Sequence, residues 1–121
     1  GSRPLIRWRP LHLPDGFDCR IEEVGVPADV YVESHERTRG WSPFNFGLYA
    51  RVNRGDGVVG IAMGKRVEID AAGRFSQREI AGADERLRIL VEEIGLSEEM
   101  AASVPADVPM PPPPDWIKSS R

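Results

Sequence analysis

Arg66-Val67-Glu68-Ile69-Asp70 alternates charged and apolar side chains without a break, and Asp70-Ala71-Ala72-Gly73 follows at once. Successive side chains of a strand point to opposite faces, so Val67 and Ile69 share one face and the charges take the other. The turn residues fit a type I turn closed by a left-handed glycine, and Phe75 to Ile80 returns as the next strand. Upstream, Met63-Gly64-Lys65 turns the chain out of Val58 to Ala62. Asn53-Arg54-Gly55-Asp56-Gly57 does the same for Leu48 to Asn53, with two glycines and an Asn to supply positive φ. Glycine turns at intervals of about ten residues predict an antiparallel meander of about four strands over residues 48 to 80.

Past Gly82 the period lengthens. Leu87, Leu90, Val91 and Ile94 stand at i, i+3, i+4 and i+7, the apolar stripe of an amphipathic helix over 84–94, with Arg86, Arg88, Glu92 and Glu93 outward. Asp84 and Glu85 favour its N-terminus, and Gly95 is a natural stop. Ser97 is placed to cap a second short helix running to Val104, with Pro105 just beyond. The expected class is therefore α+β, an antiparallel meander packed against an amphipathic C-terminal helix.

Proline marks the flanks: four lie in residues 1 to 27, one is Pro43, and six fall between Pro105 and Pro114. Residues 1–26 read as an extended arm, because prolines lack an N–H and bias their predecessors to extended geometry, with a short strand where Phe17, Cys19 and Ile21 alternate with charges. Residues 27–104 read as the α+β body. Its first stretch, 27 to 38, is divided between Pro27, which suits a helix start, and the strand formers Val30, Tyr31 and Val32; helix is the reading adopted. Residues 105–121 form a Pro-rich tail in which Met110-Pro111-Pro112-Pro113-Pro114-Asp115-Trp116 must run as polyproline II. Such a tail serves either as ligand for an aromatic groove or as a strap on its own protein, and Trp116 at its end favours the strap.

Composition limits function. The chain of 121 residues is 40% hydrophobic and 29% charged with a formal charge of −3, which fits one globular domain and argues against general nucleic-acid binding. Uncharged runs such as Gly57 to Gly64 are too short to cross a bilayer, so no membrane partner is expected. Gly1-Ser2 reads as a cloning scar and the residues after it lack the apolar core of a signal peptide, which makes the cytoplasm the expected compartment. One cysteine allows no internal disulfide, and Cys19, His12 and His35 have no metal-ligand spacing.

No Gly-rich nucleotide signature occurs, so Gly55, Gly57, Gly60 and Gly64 read as turn glycines. Cys19 reads as a buried structural thiol and His35 as part of a solvated polar turn. The densest aromatic segment is Trp41-Ser42-Pro43-Phe44-Asn45-Phe46, on the loop leading into the sheet. Such a loop either plugs the core or lines a pocket, and both readings stand.

Ala28-Asp29-Val30-Tyr31-Val32-Glu33-Ser34-His35, Ser42-Pro43-Phe44, the strand ending Ala50-Arg51, the hairpin into Val58-Val59-Gly60-Ile61 and on through Gly64-Lys65-Arg66-Val67-Glu68-Ile69, and Leu90-Val91-Glu92-Glu93-Ile94-Gly95-Leu96 together resemble the C-terminal half of the arylamine N-acetyltransferases. The similarity spans about Phe17 to Leu96. It implies a lid and substrate-pocket role in an enzyme whose Cys-His-Asp triad takes acetyl from acetyl-CoA and passes it to a small aromatic amine. It also implies that Phe44 faces the acceptor, with Trp41, Ser42 and Phe46 extending the pocket. The triad belongs to the family's N-terminal half and has no counterpart here: Cys19 does not match the nucleophile, and no catalytic residue is assigned. Acetyl-CoA would serve only the complete enzyme, and the N-terminal catalytic half would be the partner. Two alternatives are a stand-alone relative that kept only a pocket, and a small α+β interaction domain using its aromatic loop or Pro-rich tail.

Overall fold

The structure, a computed structural model, describes residues 2–10 and 15–118; His12 and the last three residues of the tail lie outside the described residues. Four strands, β3 (Tyr49–Arg54), β4 (Gly57–Ala62), β5 (Lys65–Ile69) and β6 (Phe75–Glu79), form an antiparallel meander in chain order. The hairpins close as their residues dictate. Arg54 pairs with Gly57 around Gly55, whose φ of 56° is the left-handed conformation a two-residue loop needs. Ala62 pairs with Lys65 around Met63 (φ 50°) and Gly64 (φ 79°). Two successive positive φ values define a type I′ turn, which Met63 enters against the steric preference of a side-chain-bearing residue. At the third turn the Asp70 carboxylate accepts the N–H groups of Ala72 and Arg74, both at 2.9 Å, and Gly73 (φ 79°) completes the type I turn the sequence predicts.

Register fixes two sheet faces. Ala50, Ile61 and Arg66 pair across one row and Val52, Val59 and Glu68 across the next, so these six share a face. Ala62 and Val67 lie on the other, where Tyr49, Val58, Ile69 and Phe75 pack around them.

Helix α2 (Ala83–Arg88) continues as a wider-wound segment, Ile89–Ile94, that packs on β3 and β4. It covers the face that carries Arg66 and Glu68. Ile61, Ile89 and Leu90 are fully buried where helix and sheet meet, and Ala101 of α3 (Glu98–Ser103) closes the cluster. Ser97 caps α3 by accepting the Met100 N–H at 3.1 Å, as the sequence predicts.

The predicted stripe is corrected. Leu87 is exposed and Ile89 is buried in its place, while of the residues expected outward Glu93 turns in against the sheet and Arg86 against the chain after α3. A π-wound turn closes i→i+5 bonds and holds more residues than an α-turn, which moves the inward side from Leu87 to Ile89 and Leu90, with Ile94 packed beside them. The Gly95 N–H bonds to the Leu90 carbonyl at 3.0 Å with Gly95 left-handed, so the helix ends at the expected glycine. Charge explains why Glu93 turns inward. The Arg66 fork donates to both Glu93 oxygens, at 2.6 to 3.1 Å, and to Glu68 at 2.9 Å. Arg54 adds donors to the Glu92 and Glu93 carbonyls at the helix end.

Ahead of the sheet, β1 (Leu5–Trp8) pairs with β2 (Phe17–Arg20) in a separate hairpin, so the extended arm contains two strands rather than one. Trp8 meets Phe17 edge to face at 5.2 Å. Cys19 is only half-buried there, because a two-stranded ribbon has no layer to bury it. Residues 28–39 resolve as helix α1 (Ala28–Arg39), which buries none of its residues. His35 is therefore an exposed helical residue, not part of a turn.

Leu90→Ala is expected to cost about 2–5 kcal/mol by opening a cavity at a fully enclosed site, read as a lower urea midpoint. The Arg66 fork holds the Glu93 carboxyl below the usual carboxylate range. Because that pKa is depressed in the folded chain, its stabilisation is complete above the unfolded value of about 4.3 and is lost as pH falls through the folded one. Glu93→Gln should thus lower the midpoint at pH 7 and flatten the acid limb of a stability profile. An unaltered profile would count against the clasp.

Candidate functional site

Pro43–Asn45 form a single helical turn between α1 and β3, with Pro43 at the position where its missing N–H costs nothing. Ser42 precedes the turn, its carbonyl accepting the Asn45 N–H at 2.9 Å, and the Asn45 side-chain amide donates to the Arg39 carbonyl at 3.0 Å. The loop is thereby fixed between the last turn of α1 and the first residue of the sheet.

The chain after α3 comes back across this loop. Asp107 accepts the Leu48 N–H at 2.9 Å, and the Val108 N–H donates to the Phe46 carbonyl at 2.8 Å. Arg86 holds the same strap from the helix side, donating to the Pro105 carbonyl at 2.7 Å and pairing with Asp107 at 3.4 Å. Further on, the Trp41 indole N–H donates to the Pro111 carbonyl at 3.3 Å. The Pro-rich tail is therefore tied to its own protein along 105–111, in line with the strap reading.

Loop and strap enclose a cleft of about 420 Å³ whose walls include Phe44, Phe46, Tyr49, Val104 and Asp107. Phe44 is 65% exposed at the cleft and meets Tyr49 edge to face at 5.5 Å and 80°. A smaller cleft of about 270 Å³, lined by Pro43, Phe46, Met63, Asp107 and Met110, adjoins it. Phe46 and Asp107 belong to both, so the strap carboxylate stands between the two spaces.

Two of the four sequence-selected residues, Phe44 and Phe46, line the larger cleft. Trp41 and Ser42 are not among its walls. They act on the backbone instead, Trp41 by anchoring the strap and Ser42 by starting the helical turn. The sequence pattern does not mark Tyr49 or Asp107: Tyr49 reads as an ordinary strand residue, and Asp107 as one acidic residue in a proline tail, distinguished by its position between Pro105 and Pro109.

The walls offer aromatic rings, backbone groups, the Asn45 amide and the Asp107 carboxylate. Among the described residues no group of three or more His, Cys, Asp or Glu side chains is placed to hold a metal ion, and no helix is long and apolar enough to cross a membrane. Comparison with protein-family models, with curated proteins and with solved structures finds no match.

Asp107→Ala should leave the Leu48 N–H without its acceptor and cost about 1–3 kcal/mol. Hydrogen exchange at Leu48 is the readout: protection falls in Asp107→Ala and is largely restored in Asp107→Asn, whose side-chain carbonyl can accept the same bond.

Proposed function

We propose that this chain is the C-terminal lid and substrate-pocket portion of an acetyl-CoA-dependent arylamine N-acetyltransferase-like enzyme, with the thiol nucleophile supplied by an N-terminal catalytic half. The observation that carries the reading is Phe44, a residue 65% exposed at the aromatic cleft, its ring braced edge-on by Tyr49. A flat aromatic amine gains roughly 0.5–1.5 kcal/mol from offset or edge-to-face ring contact beyond the burial of its area. Phe44 and Phe46 present such surfaces, while the strap limits the opposite side of the cleft.

The division of labour rests on the residues at hand. Acyl transfer through a thiolate needs a base within hydrogen-bond reach and a third group to orient that base. The one cysteine, Cys19, sits on the β1–β2 hairpin, and His35 is on the surface of α1. Neither borders the aromatic cleft. In this reading acetyl-CoA is a co-substrate of the complete enzyme, and this chain contributes the acceptor wall.

A second reading, a non-catalytic interaction domain, is supported by the N-terminal hairpin and α1. Ile6, Trp8 and Phe17 expose 38–55% of their surface, and Tyr31 and Val32 each expose 62%. The same apolar surface is also what an assembled catalytic half would cover, so the first reading accommodates it.

The isolated chain incubated with acetyl-CoA and an arylamine is expected to give no acetyl transfer. Turnover that disappears in Cys19→Ser would overturn this and make Cys19 the nucleophile. In the complete enzyme, Phe44→Ala should raise KM for arylamine acceptors and leave the acyl-CoA half-reaction and the unfolding midpoint nearly unchanged. If both half-reactions weaken together with the fold, Phe44 is a packing residue and the acceptor-wall role fails.

A further inference from the structure

The stretch Val108-Pro109-Met110-Pro111-Pro112-Pro113-Pro114 contains no charged residue, and five of its seven positions are proline. Proline fixes φ near −65° and biases its predecessor to extended geometry, so the segment is a polyproline II rod of three residues per turn. Residues three apart stand in line along such a rod. Its two hydrogen bonds to the body lie three residues apart, the Val108 N–H donating to the Phe46 carbonyl and the Trp41 indole N–H to the Pro111 carbonyl, while the Pro114 carbonyl accepts the Ile117 N–H within the tail at 3.0 Å. Pro114 is half-buried, whereas every residue from Val108 to Pro113 is exposed, Val108 and Met110 by 53% each.

The start of the rod is held by Arg86, Leu48 and Asp107; at its other end the chain turns into α4 (Asp115–Lys118), with Trp116 and Ile117 half-buried, so the polyproline II expected through Trp116 stops at Pro114, the last residue whose φ a proline ring fixes. A free proline-rich peptide must lose chain entropy on docking; here most of that loss is already made in folding.

The geometry points to the outer edge of this strap, Pro109 and Pro112 with Pro113 beside them, as a docking ridge for a protein module with an aromatic-lined polyproline groove. Such grooves read ridges of proline rings together with the carbonyls between them. Trp41 already makes one bond of that type from the inner side, to Pro111. With no Lys or Arg from Val108 to Pro114, the strap suits a groove that relies on its rings and not one that requires a basic anchor. This inference does not depend on the acyltransferase reading.

The test uses the full chain, 15N-labelled, titrated with an isolated WW domain selective for proline runs. Met110 and Asp115 are the amides that report on the outer stretch, and the Trp41 indole N–H reports on the inner latch. Saturable shifts at Met110 and Asp115 with the Trp41 indole signal unmoved are expected. Pro112→Ala should weaken binding about tenfold or more, while Pro111→Ala, on the inner line, changes it by less than about threefold. Absence of saturable shifts overturns the proposal. So does equal loss in both variants, which would reduce the prolines to stiffening, and so does displacement of the Trp41 signal, which would mean that the strap must leave the protein to bind.

Discussion

The contact between Arg66 and Glu93 governs how this molecule is assembled. Arg66 projects from a central strand toward the helix, on a face that must also be dry enough to bury Ile61, Ile89 and Leu90. A guanidinium in that position, its side chain only 18% exposed, is tolerable when its fork is filled, and Glu93 with Glu68 fills it. The helix accordingly sits with Glu93 over the sheet, and the wider winding of Ile89–Ile94 brings Ile89 into the core while Leu87 stays outside.

That seating also positions the C-terminal strap. Because Arg86 lies on the same inward side of the helix, it reaches the chain beyond α3 and holds the Pro105 carbonyl and Asp107. Asp107 in turn carries the Leu48 N–H, at the first step from loop to sheet. Helix, strap, loop and sheet are thus connected through one arginine and one carboxylate, and the aromatic cleft is the space they leave between them. Buried polar links of this sort define geometry more than they add stability, because the desolvation of each partner offsets much of the attraction. Among the described residues the Arg86 Nε is a buried side-chain nitrogen without a hydrogen-bond partner.

The N-terminal residues obey different physics. A two-stranded ribbon and an α-helix without a buried residue have little apolar contact to hold them, and their ion pairs, such as Arg7 with Asp18 and Arg37 with Glu33, are solvent-exposed. Their stability must come from local hydrogen bonds, from the Trp8–Phe17 contact, or from a surface that covers them. Sheet and ribbon thus stand at opposite ends of one scale, set by how much apolar surface each removes from water.

Sequence alone determined the meander, its three turns and the two C-terminal helices, because these depend on local rules: period two in Arg66–Asp70, positive φ at Gly55, Gly64 and Gly73, a serine cap at Ser97, a glycine stop at Gly95. It also singled out Phe44 and Phe46, since aromatic density on a loop is visible without coordinates. The tertiary structure decided which sheet face the helix covers, which side of the helix turns inward, and that Asp107, 59 residues after Leu48, closes the cleft. Those outcomes rest on pairings between residues distant in the chain, Arg66 with Glu93 and Arg86 with Asp107. Local periodicity does not encode such pairings, for a charge within an amphipathic pattern reads as solvent-facing until a partner across the fold gives it reason to turn in.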